Sequence, residues 1–152
     1  MLYFVRDPDG EGNLVAFENP SLEAIRALLE RVTNIAIVGF SLRPGRASHN
    51  IARQLQRFGF RVIPVRPGIA EGLGEKAYPN LSAVRDRIDL VNVFRESAAI
   101  PGIVEECLAI NAPAIWIQEG IVHDEAAEQA RAAGLTVVMD RCIYKDYVAL
   151  CQ

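Results

Sequence analysis

No stretch of this 152-residue sequence approaches the roughly 18 consecutive apolar residues that cross a bilayer. The opening Met-Leu-Tyr-Phe-Val-Arg-Asp-Pro-Asp-Gly carries aspartates early and lacks the layout of a signal peptide. Neither a membrane partner nor export is expected. Cysteine is scarce: Cys107, Cys142 and Cys151 form no C-x-x-C, which argues against a disulfide framework and for a reducing compartment, the cytoplasm. The two histidines, His49 and His123, lie on different segments and share no ligand spacing with the cysteines, so no metal site is expected. Basic residues are not in excess either. Sixteen Lys and Arg against nineteen Asp and Glu leave a net charge of −3, which argues against a nucleic-acid binder and requires any anion to be met by a local cluster of arginines. No G-x-x-x-x-G-K-[ST] phosphate loop occurs, and Gly39, which opens the nearest approach to G-x-G-x-x-G, is followed by Ser41 where the second glycine belongs.

What is present is an ordinary compact composition, 51% hydrophobic and 23% charged, at a length that suits one domain. The stretch from Asn34 to Asn50 organises it. Ile35-Ala36-Ile37-Val38 is a short apolar run of the kind buried on both faces of a sheet. Gly39 ends it, a polar loop follows, and Ile51, Leu55 and Phe58 then recur at helical spacing. Strand, glycine turn, loop and helix make the first unit of a nucleotide-binding α/β domain, with loop amides and a helix N-terminus available to a phosphate. The loop offers Ser41, Arg43, Pro44, Gly45, Arg46 and Ser48, in which two guanidiniums can supply forked donors to phosphate oxygens.

Residues 1–18 read as an N-terminal extension and 19–152 as the domain. In the extension, Leu2–Val5 and Leu14–Phe17 flank the turn-rich Asp7–Gly12, which predicts a β-hairpin. Its apolar residues call for a partner surface, the domain's own edge or a second subunit in a homodimer. Asn19-Pro20-Ser21 starts a helix carrying Leu22, Ile25, Leu28, Leu29 and Val32. After a helix over 48–58, Gly59 supplies a stop. Arg61–Val65 is the second strand, and Pro64 within it predicts a place near the sheet edge. Residues 69–80 read as loop and Leu81–Arg87 as a short helix. Ile88–Phe94 is the third strand, Ser97 caps the next helix, Ala114–Ile117 is the fourth strand, a helix runs over about 124–133, and Leu135–Met139 is the fifth strand before a last helix. This alternation predicts an α/β, Rossmann-like, doubly wound five-stranded parallel sheet with helices on both faces. Right-handed crossovers then bring Gly39–Ser48, Arg66–Gly68, Phe94–Ser97, Gln118–Ile121 and Asp140–Cys142 to one rim.

At these five places the sequence resembles the small single-domain CoA-binding proteins and, more distantly, the CoA-binding domain of the succinyl-CoA synthetase alpha subunit. The matching pieces are Ile37-Val38-Gly39-Phe40-Ser41 with Pro44-Gly45-Arg46-Ala47-Ser48, Val65-Arg66-Pro67, Ile88 through Arg95, Trp116 through Ile121, and Ala133-Gly134 through Cys142. The resemblance covers roughly residues 22–150. It implies a small-molecule ligand, CoA or acyl-CoA, lying along the rim. Gly39, Phe40, Ser41, Arg43, Pro44, Arg46 and Ser48 then belong to the pyrophosphate loop, Arg66 and Pro67 to the adenosine side, and Val93, Phe94 and Arg95 to the third-strand edge. Two positions depart from the family pattern: Arg66 stands where Asn is usual before the proline, and Asn92 where Asp is frequent.

Candidates for chemistry are few. Cys142 beside Arg141, Ser41 near His49, and Glu119 before Gly120 each have a plainer role as packing, loop or turn residue. An acyl-CoA synthetase of the resembling kind needs a nucleotide-binding partner domain that 152 residues do not hold. The expectation is therefore non-catalytic binding of CoA or acyl-CoA. The alternatives are a small NAD(P)-dependent oxidoreductase, since Arg66 suits the phosphorylated adenosine of NADP as well as that of CoA, a CoA-ligase subunit completed by another chain, and an interaction module without a ligand.

Overall fold

The computed structural model describes residues 3–6, 12–15 and 17–152. At the N-terminus β1 (Tyr3–Arg6) and β2 (Gly12–Val15) pair antiparallel, Tyr3 opposite Val15 and Arg6 opposite Gly12. Most of the turn expected between them, 7–11, lies outside the described residues. There follow α1 (Leu22–Arg31), β3 (Asn34–Val38), α2 (Ala47–Arg57), β4 (Arg61–Val65), the two-residue strands β5 (Glu71–Gly72) and β6 (Glu75–Lys76), β7 (Leu90–Val93), α3 (Ile100–Ala109), β8 (Ala114–Gln118), α4 (Asp124–Ala132), β9 (Thr136–Arg141) and α5 (Ile143–Cys151). Short 3₁₀ turns at Leu81–Ala83 and Ser97–Ala99 complete the order.

Five strands, in the order β4-β3-β7-β8-β9, form an all-parallel sheet. Because successive side chains in a strand point to opposite faces, each apolar run feeds two layers at once. Ile35, Ile37, Leu90, Trp116 and Val138 enter the layer closed by α1, α2 and α5 through Ile25, Leu28, Leu55 and Ile143. Ala36, Val38, Val91, Val93, Ile115, Ile117 and Val137 enter the other, closed by α3 and α4 through Ile100, Val104, Ala127 and Ala130. Fully burying one such aliphatic chain contributes about 1.5–3 kcal/mol, so a few truncations would exhaust the ~5–15 kcal/mol by which a domain is stable. The doubly wound architecture expected from the alternation is the one observed.

Both edge strands are managed. Pro64 does lie on an edge strand, where its carbonyl accepts from the Tyr78 N–H at 3.0 Å while the Arg66 N–H donates to the Tyr78 carbonyl at 2.8 Å. At the far edge the Asn19 side chain mimics a strand, accepting from the Met139 N–H and donating to the Met139 carbonyl, both at 2.8 Å. Several local expectations need correction. Leu22, grouped with the core-facing residues of α1, is 53% exposed, since Ser21 caps the helix directly before it and Leu22 occupies the first turn. Leu81–Arg87 forms only the 3₁₀ turn Leu81–Ala83, held by the Asn80 side chain, because Leu81 alone of those residues is fully buried. Ser97 opens a 3₁₀ turn and caps nothing; α3 begins at Ile100, where Pro101 in the first turn sets the start. The loop over 69–80 contains the β5–β6 hairpin.

Candidate functional site

The rim is organised by Gly39. Its φ is +85°, and a Cβ built there would stand 2.5 Å from the Phe94 carbonyl oxygen. Only glycine meets both demands. The Gly39 N–H donates to the Val65 carbonyl at 3.2 Å and the Phe94 N–H to the Val38 carbonyl at 2.9 Å, tying the ends of β4, β3 and β7 together. Phe40, 1% exposed, then turns inward: its ring packs so closely on Gly72 that a Cβ there would lie 2.5 Å away, and it stands 5.8 Å from the His49 ring. Phe40 anchors the loop from beneath.

The loop is held by its own polar groups. Ser48 Oγ accepts from the Ser41 N–H (3.0 Å), Ser41 Oγ from the Arg43 N–H (3.1 Å), and Asn50 Oδ1 from the Gly45 N–H (3.2 Å), while His49 Nδ1 bonds the Ser41 carbonyl at 3.0 Å. Each serine oxygen is thus used as an acceptor, leaving its O–H as the remaining donor. The loop delivers the chain into α2 with Arg46 as the N-cap, which supplies no side-chain cap, and with no acidic residue in the first turn. α3 and α5 also start without a side-chain cap, but behind Ala99 and Cys142 rather than a basic residue, and the other two helices are treated differently. Ser21 caps α1, and His123 caps α4, whose first turn also carries Asp124 and Glu125. A missing cap costs about 1 kcal/mol, and a cation at the positive end of the helix dipole adds to that cost. An anion placed there would reverse both effects.

Around this point lies a cleft of about 880 Å³, within the roughly 300–1,000 Å³ usual for small-molecule sites. Gly39, Phe40, Ser41, Arg43, Arg46 and Ser48 line it from the loop, Arg66 and Pro67 from the end of β4, and Phe94 and Arg95 from the end of β7. Two of the residues singled out in the sequence are not brought to it: Val93 is wholly enclosed in the α3–α4 layer, and Pro44 is on the exposed outside of the loop. Pro79, Asn80, Ile103, Glu106 and Ile121 line it as well. Ile103 and Glu106 are spaced one turn apart on α3, a pairing that reads from sequence as an ordinary helix face; which neighbour that face meets is settled by tertiary packing.

Charge is divided along the cleft. Arg43, Arg46 and Arg66, over β3 and β4, are exposed and make no ion pair among the described residues. Arg95 differs. Its Nε and Nη2 donate to the two carboxylate oxygens of Glu96 at 3.1 and 3.0 Å, a bond that raises the arginine's pKa and lowers the glutamate's. Over β7 and β8 stand Glu96, Glu106 and Glu119, the last paired with Lys145 at 3.1 Å, an interaction that raises the lysine's pKa.

Below this half of the rim a buried amide network runs between strands. Asn92, fully buried, donates through Nδ2 to the Trp116 carbonyl and to Gln118 Oε1, both at 3.3 Å, while its Oδ1 has no partner. The residues at the end of β9 serve the fold. Asp140, at φ +58°, accepts the Gly120 N–H at 2.8 Å, and Arg141 pairs with Asp146 at 2.6 Å while its carbonyl accepts the Trp116 indole N–H at 2.8 Å. Cys142 is 7% exposed and does not line the cleft.

A family model described as a CoA binding domain matches residues 33–147. Over 126 residues the chain is 45% identical to the uncharacterized protein YneT of Bacillus subtilis, covering 83% of this chain and 93% of that one. It superposes on the structure of a hypothetical protein from Pyrococcus horikoshii with a TM-score of 0.84 at 32% identity, covering 88% and 94% of the two chains. It is also 31% identical over 74 residues to an ADP-forming acetate–CoA ligase of Methanocaldococcus jannaschii, a match that takes in 49% of this chain and only 10% of the ligase.

Proposed function

Because this chain belongs to the CoA-binding domain family, whose model spans residues 33–147, we propose that it binds CoA or acyl-CoA in the rim cleft without acting on it chemically. The observation that carries this reading is the N-terminus of α2: an uncapped helix start with a basic N-cap, no acidic first turn, and Arg43, Arg46 and Arg66 around one cleft without an ion pair among the described residues. Such a donor set is costly in the free protein and suits a polyanion. Arg43, Arg46 and the first turn of α2 hold the pyrophosphate, with the Ser41 and Ser48 hydroxyls as neutral donors. Arg66 and Pro67, at the end of β4, hold the phosphorylated adenosine. The neutral pantetheine arm then runs over β7 toward Gln118 and Ile121.

The non-catalytic part rests on how the reactive side chains are used. Glu119 is held by Lys145, Cys142 is buried away from the cleft, and His49 is bonded into the loop. A ligase reaction of the kind named for the Methanocaldococcus relative would require further domains, since that protein is about ten times the length of the matched stretch. Competition binding with CoA, dephospho-CoA, NADP and NAD tests the ligand. CoA should outbind its dephospho form by about tenfold or more, as expected for one charge-assisted contact, and Arg66→Ala should erase most of that gap. Equal affinity for the two would make Arg66 a surface arginine, and NADP binding best would move the protein to the oxidoreductase reading.

A further inference from the structure

We propose that the cleft selects thioesters whose acyl group carries no free carboxylate, and that Glu106 is the residue that sets this selection. The inference rests on the CoA reading and extends it to the end of the ligand that the family does not specify. The strand order fixes a direction. β4 and β3 carry the unpaired arginines, whereas β7 and β8 lie on the opposite side of the loop and bring Glu96, Gln118, Glu119 and Ile121 to the cleft, with Ile103 and Glu106 added from α3. A CoA ligand anchored by its phosphates at the basic half must therefore extend its thiol end into a half lined by isoleucine and carboxylate.

The three carboxylates there are not equivalent. Glu96 is neutralised by two hydrogen bonds from Arg95, and Glu119 by Lys145. Glu106 has no such partner: it is half-buried beside the buried Ile103, and no hydrogen bond or ion pair satisfies its carboxylate among the described residues. Its charge does reach Arg95, whose pKa it helps to raise after Glu96. A free acyl carboxylate entering this end would meet an uncompensated like charge in a site partly shielded from water, where repulsion is felt more strongly than in bulk solvent. Like-charge juxtaposition is a means by which binding sites reject near-isosteres.

Butyryl-CoA and succinyl-CoA provide the test, because their acyl chains have the same number of carbons and differ at the end in a methyl against a carboxylate. Affinities for CoA, butyryl-CoA and succinyl-CoA are measured by calorimetry in the wild type and in Glu106→Gln, which keeps size and polarity. Butyryl-CoA is expected to outbind succinyl-CoA by about tenfold in the wild type, the scale of one like-charge contact in a partly solvated site. Glu106→Gln should reduce the gap to about threefold or less. Equal affinity for the two thioesters in the wild type, or a gap unchanged in Glu106→Gln, overturns the inference while CoA binding stands. Failure of CoA itself to bind overturns the CoA reading and this inference with it.

Discussion

Replacing Gly39 by alanine adds one methyl group where the end of β3 meets the end of β7, and two separable costs follow. The first is conformational: at φ +85° an L-residue pays about 1–2 kcal/mol for the left-handed region. The second is steric. The new Cβ would stand 2.5 Å from the Phe94 carbonyl oxygen and 3.0 Å from Arg95 Cδ. The arginine chain can swing away, but the carbonyl cannot: the Phe94 N–H is bonded to Val38 at 2.9 Å and the preceding Val93 is fully buried. Forcing a methyl into such a place costs about 1–3 kcal/mol more, so the total is about 2–5 kcal/mol. Gly45 is the control. It has φ +98° and nothing within 4 Å of its would-be Cβ, so Gly45→Ala carries the conformational cost alone. Urea denaturation of the two variants, with unchanged slope as the check that the transition is the same, should place Gly39→Ala about 1–3 kcal/mol below Gly45→Ala. Equal losses would show that the β3–β7 junction yields freely and that Gly39 is needed only for its backbone angle.

Two further outcomes follow from the half-buried Asp89 and the buried Cys107. Burial pushes the Asp89 carboxyl upward, but the N–H groups of Asn34 (2.8 Å) and Thr33 (3.0 Å) and the Arg87 guanidinium outweigh it and hold the pKa below the ordinary value. A depressed carboxyl contributes stability that is complete above the unfolded pKa of about 4 and is lost as pH falls through the folded one. Asp89→Asn should therefore cost about 1–3 kcal/mol at pH 7, with the deficit shrinking below about pH 4; equal urea midpoints at pH 7 would contradict this. Burial, with a smaller push from Glu106, raises the Cys107 thiol to about 12, so iodoacetamide at pH 8 should label it only after unfolding in urea, and labelling of the native protein at this position would contradict its burial.

How much the sequence discloses depends on whether a feature is local. The five strands are legible because parallel strands covered on both faces must be apolar at nearly every position, as Ile35–Val38 and Ile115–Ile117 are. The edge position of β4 is legible from Pro64, since a proline cannot serve a central ladder. Boundaries fail where two local signals compete. Ser97 is a good cap by type, but Pro101 fits the first turn of α3 and moves the start past it. Leu81–Arg87 has a helical composition but only Leu81 to bury fully, so nothing repays a longer helix. In the cleft, the loop from Gly39 to Ser48 is legible because its chemistry is contiguous in sequence. Its acidic half is legible only in part: the strand ends bring Glu96 and Glu119 to the rim, whereas Glu106 joins them from α3 through tertiary packing. The neutralisation of Arg95 by Glu96 also depends on side-chain direction, and the burial of Phe40 depends on Gly72, more than thirty residues away.

CoA binding in the rim cleft depends most directly on the loop and the start of α2 holding the ligand's phosphates. Isothermal titration of the wild-type protein and of the Arg43→Ala/Arg46→Ala double variant with CoA tests it. Micromolar-range binding is expected in the wild type. Two charge-assisted contacts at about 1.5–3 kcal/mol each predict a loss of about a hundredfold or more in the variant, and the same affinity in both proteins would contradict the claim.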